Sequence, residues 1–205
     1  DEALNEWIEL YNNASEEILI VSAYLIPTKR LESHIAKVID RGVRVRILTN
    51  SISSNNHLAA HSAYRNHISA LLGYGAELHE VRVDAKNRNM YMLAPVKEKT
   101  LALHAKALVI DDNKVFIGSS NLDPRSLRIN TEMGLLVEST RFNANVRDAL
   151  HLDFDTKNSW RLEYDDSGQL IWVSDDMTMK SQPAISFMSR IEDWFFSHLP
   201  IEDEL

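Results

Sequence analysis

Apolar and polar positions along this chain follow two periods in turn, one close to helical and one close to two. Residues 2–15 carry Leu4, Trp7, Ile8, Leu10 and Tyr11 at helical spacing. Glu17 then precedes an apolar run, Ile18 to Tyr24, of strand length, and Pro27 ends it. Arg30 to Arg41 predicts a second helix, with Gly42 as its carboxyl-terminal cap. Val43 to Leu48 alternates and predicts another strand. Ser51 to Asn56 is a polar loop just past that strand's carboxyl end, where ligand sites of α/β proteins usually sit. His57 to Tyr74 predicts a third helix stopped at Gly75, and Ala76 to Val83 a strand. Asp84 to Lys99 is a charged, exposed excursion. A strand follows from Thr100 to Asp111, then a turn at Asp112-Asn113 and a hairpin partner at Lys114 to Ile117. Thr131 to Glu138 predicts a further strand and Arg141 to Lys157 a helix. This alternation predicts an α/β fold with a mixed, largely parallel sheet flanked by helices.

The character changes beyond that point. Trp160 to Tyr164, a turn at Asp165 to Gly168, and Leu170 to Val173 predict a small hairpin. Ala184 to Leu199 predicts a closing helix that contains Phe187, Trp194, Phe195 and Phe196. Two units are therefore expected: residues 1–158, and residues 159–205 as a hairpin and aromatic helix packed on the first. The helix carries little positive charge, which favours core packing of its aromatics over an interfacial membrane face.

With 205 residues the chain can bury a proper core. It has no cysteine, which rules out disulfides and thiolate metal sites. No apolar run approaches the roughly 18–20 residues that span a bilayer, so this chain is expected to be soluble. It begins at Asp1 rather than Met, which suggests a fragment of a longer parent. The formal net charge of −8 argues against non-specific nucleic-acid binding and against adsorption of the whole surface to anionic lipid. Only local clusters, such as Arg41, Arg44 and Arg46, or Arg125 and Arg128, supply basic surface.

One stretch carries chemistry. Leu103-His104-Ala105-Lys106-Ala107-Leu108-Val109-Ile110-Asp111 puts a histidine and a lysine two apart in a strand-like run, hence on one face. An imidazole beside a cation suits attack on a phosphodiester: the ring is nucleophile or proton donor, and the ammonium neutralises an anionic oxygen. Gly118 permits a tight turn or close backbone approach, and Asn121 adds a donor. Ser119, Ser120 and Ser126 either donate hydrogen bonds to phosphate or shape the turn.

His104, Lys106, Asp111, Gly118, Ser119 and Asn121 together resemble the HKD motif of the phospholipase D superfamily, His-x-Lys-x4-Asp-x6-Gly-Ser-x-Asn. The continuation from Asn121 through Asp123-Pro124-Arg125-Ser126 to Glu132 is similar to the bacterial cardiolipin synthase branch. The resemblance implies a phosphatidyltransferase working through a phosphohistidine, without metal or cofactor. It implies catalytic roles for His104, Lys106, Asn121 and Glu132, with Glu132 orienting a motif histidine, and a structural or ion-pairing role for Asp111 within the motif. Family enzymes join two such motifs at one site, one histidine as nucleophile and one as general acid. None of His34, His57, His61, His67, His79, His151 and His198 has a lysine two residues on. The chain thus resembles one half, the carboxyl-terminal one, with His104 as general acid.

The expected partners follow: a phospholipid substrate, and either the amino-terminal half of the same parent or a homodimer mate. The parent is expected at the cytoplasmic membrane as a peripheral enzyme. The alternative is a single-motif endonuclease completed by homodimerisation. His57 and His61 are spaced for one helical face, but the glutamate of the zinc-protease pattern is absent, so no metal site is expected. His61 and Tyr64 lie in a region similar to the cardiolipin synthase branch and are expected to line a headgroup pocket.

Overall fold

The structure, a computed structural model, describes residues 2–55, 57–87, 89, 100–184, 191, 193–195 and 198. From the amino terminus run α1 (Glu2–Asn12), β1 (Glu17–Ser22), α2 (Lys29–Asp40), β2 (Arg44–Asn50), α3 (Leu58–Arg65), α4 (Ile68–Tyr74) and β3 (Glu77–Val81). Then follow β4 (Lys106–Ile110), β5 (Lys114–Gly118), α5 (Pro124–Arg128), β6 (Gly134–Glu138), α6 (Thr140–Phe154), β7 (Ser159–Tyr164), β8 (Leu170–Val173) and β9 (Thr178–Met179). The strands form one sheet in the order β6-β5-β4-β1-β2-β3-β7-β8-β9.

The mixed α/β class agrees with the sequence, but the sheet is less parallel than expected. Between the strands, parallel pairing is confined to β1·β2 and β2·β3, and the other strand pairings described are antiparallel. The reason is connectivity. A parallel pair needs a crossover of a dozen or more residues, which α2 and the α3–α4 segment provide; β4·β5 and β7·β8 are joined by short turns, the segment 119–133 returns β5 antiparallel to β6, and β4 and β7 come to β1 and β3 from distant parts of the chain.

Alternation along each strand sends its side chains to two cores. Ile18 and Ile20 of β1, Val45 and Ile47 of β2, and Leu108 and Ile110 of β4 face α1 and α2, where Leu4, Trp7, Tyr11, Leu31 and Ile35 close the layer. Leu19, Val21, Leu48 and Val109 face the opposite way, onto Leu150 and Phe154 of α6. Helix α2 starts where the Thr28 side chain accepts from Leu31 N and stops at Gly42, whose φ of 91° favours glycine. The helix expected over 57–74 is two helices, because the chain breaks at Asn66-His67 and His67 turns its ring to Glu32 on α2, 2.6 Å away.

Strand β7 pairs antiparallel with β3, so the hairpin extends the main sheet past residue 158. The expected aromatic helix, 184–199, and most of the excursion at 84–99 lie largely outside the described residues. Within the former, Asp193 is buried against α3.

The β5·β6 pair is built on two facing glycines, Gly118 and Gly134. A Cβ on Gly134 would stand 2.2 Å from the Phe116 ring, and one on Gly118 would stand 2.7 Å from the Met133 carbonyl. Gly134→Ala is therefore expected to destabilise the fold by about 1–3 kcal/mol through overpacking, read as a lower urea midpoint. An unchanged midpoint would contradict this close approach.

Candidate active site

Because β1, β2 and β3 are parallel, their carboxyl ends share one edge of the sheet. Strand β4 runs the other way and begins at that edge, with Lys106 opposite Ser22. Strand β5 returns to it at Gly118, and β6 departs from it at Gly134. The segment 119–133 is thereby held beside Lys106. This topology brings His104, Lys106, Ser119, Ser120, Asn121, Ser126 and Glu132 to one edge.

Strand β4 begins at Lys106, later than expected, and His104 lies in the segment before it. The physical reason is loss of neighbours: β1 ends at Ser22 and β5 at Gly118, so no ladder is available to residues 100–105. The two side chains meet all the same. Lys106 is only 7% exposed, and its ammonium donates to the His104 carbonyl at 2.7 Å and stands 3.2 Å from His104 Nδ1. An ammonium has donors only, so Nδ1 accepts and the ring in this arrangement carries its proton on Nε2. The imidazole itself is exposed. Burial lowers the Lys106 pKa below the ordinary lysine range, and the neighbouring carboxylates Glu132 and Asp123 oppose that.

The loop that follows is tied to itself. Ser119 Oγ donates to Glu132 Oε2, Asn130 donates to Glu132 Oε1 at 3.2 Å, and Met133 N donates to Ser119 Oγ at 3.0 Å. Glu132, expected to orient a motif histidine, is thus bonded here to Ser119 and Asn130. Asn121 is buried, and its Oδ1 accepts from Tyr24 N at 3.4 Å. Ser120 Oγ donates to the Asn121 carbonyl. Ser126 is buried in the first turn of α5, where its backbone N–H donates to Asp123 Oδ1 at 2.6 Å. Of the three serines, Ser119 is exposed at the edge, whereas Ser120 and Ser126 shape the loop.

Three expected site residues lie elsewhere. Asp111 ends β4, roughly 17 Å from Lys106 at about 3.4 Å per residue. Its carboxylate accepts from the backbone N–H groups of Ser15, Glu16 and Glu17 and from Ser15 Oγ. It is a clasp for the α1–β1 connection, at the end of β4 opposite Lys106. Its φ of 47° is a left-handed conformation that aspartate tolerates better than most residues.

His61 and Tyr64 are 0% and 2% exposed, so they do not form the surface of a headgroup pocket. His61 Nδ1 pairs with Asp193 Oδ1 at 2.9 Å, a carboxylate that also accepts from Ser62 and Arg65. Tyr64 stands beside Glu80, whose carboxyl burial pushes up to about 7 and to which Trp172 donates. Apolar spacing buries this face of α3, and Asp193 takes up His61 Nδ1 and Ser62 Oγ there. His57 is exposed at the start of α3 while His61 is inside, so the two do not present a common ligand face.

Three participants went unnoticed in the sequence. Asp123 caps α5 in an Asp-Pro-x-Ser pattern that is a legible helix start. Ser22 and Asn50, both buried at the ends of β1 and β2, reach the motif segments with their side chains. Their only advance signal was a polar residue closing an apolar strand.

Two hollows adjoin the site. One, of about 280 Å³, opens at His104 and is lined by Leu48, Val81, Ala85, Leu101, Leu103 and Ala105, with Asp153 and Asn158 at its side. The other runs from Ser120 and Glu132 between α1 and β6, where Glu6, Glu9 and Glu138 make its rim acidic.

The model of a family described as "Cardiolipin synthase, PLD-like domain" matches residues 7–153. Cardiolipin synthase C of Escherichia coli (strain K12) is 33% identical over 199 residues, which is 95% of this chain and 42% of that protein. The chain spans well under half the length of the curated relatives it matches. Among solved structures, NucT from Helicobacter pylori superposes with a TM-score of 0.56 at 23% identity, over 73% of this chain and 86% of that one. A phosphatidylserine synthase from Haemophilus influenzae Rd KW20 gives 0.55 at 18% identity, over 73% and 35%. At these identities the two structures speak for the fold.

The clasp at Asp111 carries a pH signature. Burial works to raise its pKa, but the backbone and Ser15 hydrogen bonds to the carboxylate win and hold it below the usual 3.8. A depressed folded pKa means stability that is present above the unfolded value and lost as pH falls through the folded one. Asp111→Asn is therefore expected to cost about 1.5–3 kcal/mol at neutral pH, with the gap to wild type closing below about pH 4. Urea melts at both pH values check this; a constant gap would contradict it.

Proposed function

The chain belongs to the phospholipase D superfamily, in the cardiolipin synthase PLD-like domain family, and on that premise we propose that it supplies one half of a phosphatidyltransferase site. The observation that carries the reading is the conjunction at His104. An exposed imidazole and a partly desolvated ammonium stand within 3.2 Å of each other, and an apolar hollow opens at the same histidine. The polar pair suits a phosphodiester anion, and the hollow suits the aliphatic portion of a lipid. The acidic rim of the second hollow and the net charge of −8 weigh against a nucleic-acid strand.

The chemistry takes two displacements at one phosphorus. A histidine of the complementary half attacks, forming a P–N bond as the P–O bond to the leaving glycerol breaks, and His104 protonates that alkoxide. The acceptor lipid's alcohol then attacks, His104 takes its proton, and the P–N bond breaks. Lys106 donates to the non-bridging oxygens in both steps. The oxygens of the incoming phosphodiester draw the Lys106 ammonium away from His104 Nδ1. Ser119, at the exposed end of the loop, is a further donor to phosphate.

The complementary half comes from the rest of a longer parent chain or from a second copy, and the parent works as a peripheral enzyme on the cytoplasmic membrane. The assay supplies phosphatidylglycerol vesicles to the chain alone and to the parent that contains it, and identifies lipid products by mass spectrometry. Transfer by the parent but not by the chain identifies the parent's other half as the partner. Transfer by the chain alone, second order in protein, identifies a homodimer. In either case His104→Ala and Lys106→Ala are expected to lower the rate at least about 100-fold. Metal-independent plasmid cleavage that His104→Ala abolishes, without lipid transfer, would overturn the lipid reading.

A further inference from the structure

His104 lies in a segment with no strand beside it, yet its place is fixed. The backbone that fixes it is held by one side chain. Asn50, the last residue of β2, is 1% exposed. Its Oδ1 accepts from Leu103 N at 2.8 Å and its Nδ2 donates to Leu103 O at 2.9 Å. A neighbouring strand would satisfy Leu103 through the same two groups. Asn50 thus substitutes for the ladder that stopped at Lys106, two residues short of the histidine. The rest of the amide is used as well: Nδ2 donates to Ala23 O at 3.0 Å, and Ser54 Oγ donates to Oδ1 at 2.9 Å. An asparagine amide has two donors and a carbonyl with two lone pairs, and all of them are engaged here. Its orientation is therefore determined by four partners.

The other motif segment is held in the same manner. Ser22, the last residue of β1, accepts from Leu122 N at 3.0 Å and donates to Tyr24 O at 2.6 Å. Leu122 adjoins Asn121, and Leu122 O in turn accepts from Ile26 N at 2.6 Å. Each motif segment is thus fastened, one residue from its functional side chain, to the polar residue that ends a parallel strand.

We propose that Asn50 is a positioning residue for His104, acting through Leu103 and supported by Ser54. The proposal rests on the phosphodiester reading of the site above. The hydrogen bonds of Asn50 go to Ala23, Ser54 and Leu103, none to His104. What it sets is the position of the backbone from which the imidazole projects and whose carbonyl receives the Lys106 ammonium. A displacement of about 1 Å at a reacting group can cost about 100-fold in rate, so the fastening matters more for turnover than for binding.

The test compares wild type, Asn50→Ala and Ser54→Ala, the last removing only one of the four bonds. Ring resonances of 15N-labelled histidine are followed through a pH titration in the chain as it stands, with His104 assigned by His104→Gln. Thermal melts report folding. In the folded Asn50→Ala chain the His104 ring signals and titration midpoint are expected to shift while those of buried His79 stay in place. Ser54→Ala is expected to shift them in the same sense by less. In the parent enzyme, kcat is expected to fall roughly 10–100-fold with KM changed less than about 3-fold. Should Asn50→Ala not fold, Ser54→Ala decides by the same readouts. His104 signals that coincide with wild type in a folded variant would overturn the proposal, as would a loss confined to KM. A His104 shift in a protein that transfers no phosphatidyl group would sink the functional reading and leave the positioning role standing.

Discussion

Everything at the site depends on where one ladder stops. Strands β1 and β4 pair from Ile18·Ile110 to Ser22·Lys106 and no further. Beyond that pair the chain must satisfy backbone groups without a neighbouring strand, and it does so with side chains that close the parallel strands. The same termination frees His104 from the pleat, so that its imidazole reaches solvent while Lys106, still in the strand, stays sheltered. A longer ladder would bind the histidine to the alternation of the sheet. The edge that results is the carboxyl end of parallel strands, the usual place for ligands in α/β proteins.

Much of this was legible in the residues. The apolar runs Ile18–Val21 and Val43–Leu48, and the helix between them with glycine at its end, became β1, β2 and α2 because local pattern and tertiary environment agree there. The His-x-Lys spacing and the Gly-Ser-x-Asn that follows located the edge itself. What was not legible is what depends on register. Whether Thr100 to Ala105 continues a strand depends on the lengths of β1 and β5, neighbours that come from distant parts of the chain. The proportion of parallel pairing was misread because strand order is invisible to periodicity: β4, fourth in sequence, enters antiparallel beside β1.

The individual site residues divide along the same line. Asp111 belongs to the motif by spacing but sits at the far end of the strand, where it clasps Ser15 to Glu17. Motif membership records co-occurrence, and five residues of strand separate two different tasks. His61 and Tyr64 are polar residues on an inward face, and the inward face decided their fate. Asn50 and Ser22 were invisible for the opposite reason: a polar residue at a strand end is common, and only the three-dimensional arrangement reveals that it holds another segment's backbone.

On the function proposed, this edge is half of a two-histidine phosphodiester site in which His104 handles the proton. The most direct measurement is to react the parent enzyme with phosphatidylglycerol labelled at its phosphate, quench within a single turnover, and map the label by mass spectrometry. An acid-labile phosphohistidine is expected on the complementary half, with none on His104 and with its formation slowed in His104→Ala. An acid-stable adduct of the kind phosphoserine forms, or the label on His104 itself, would contradict it.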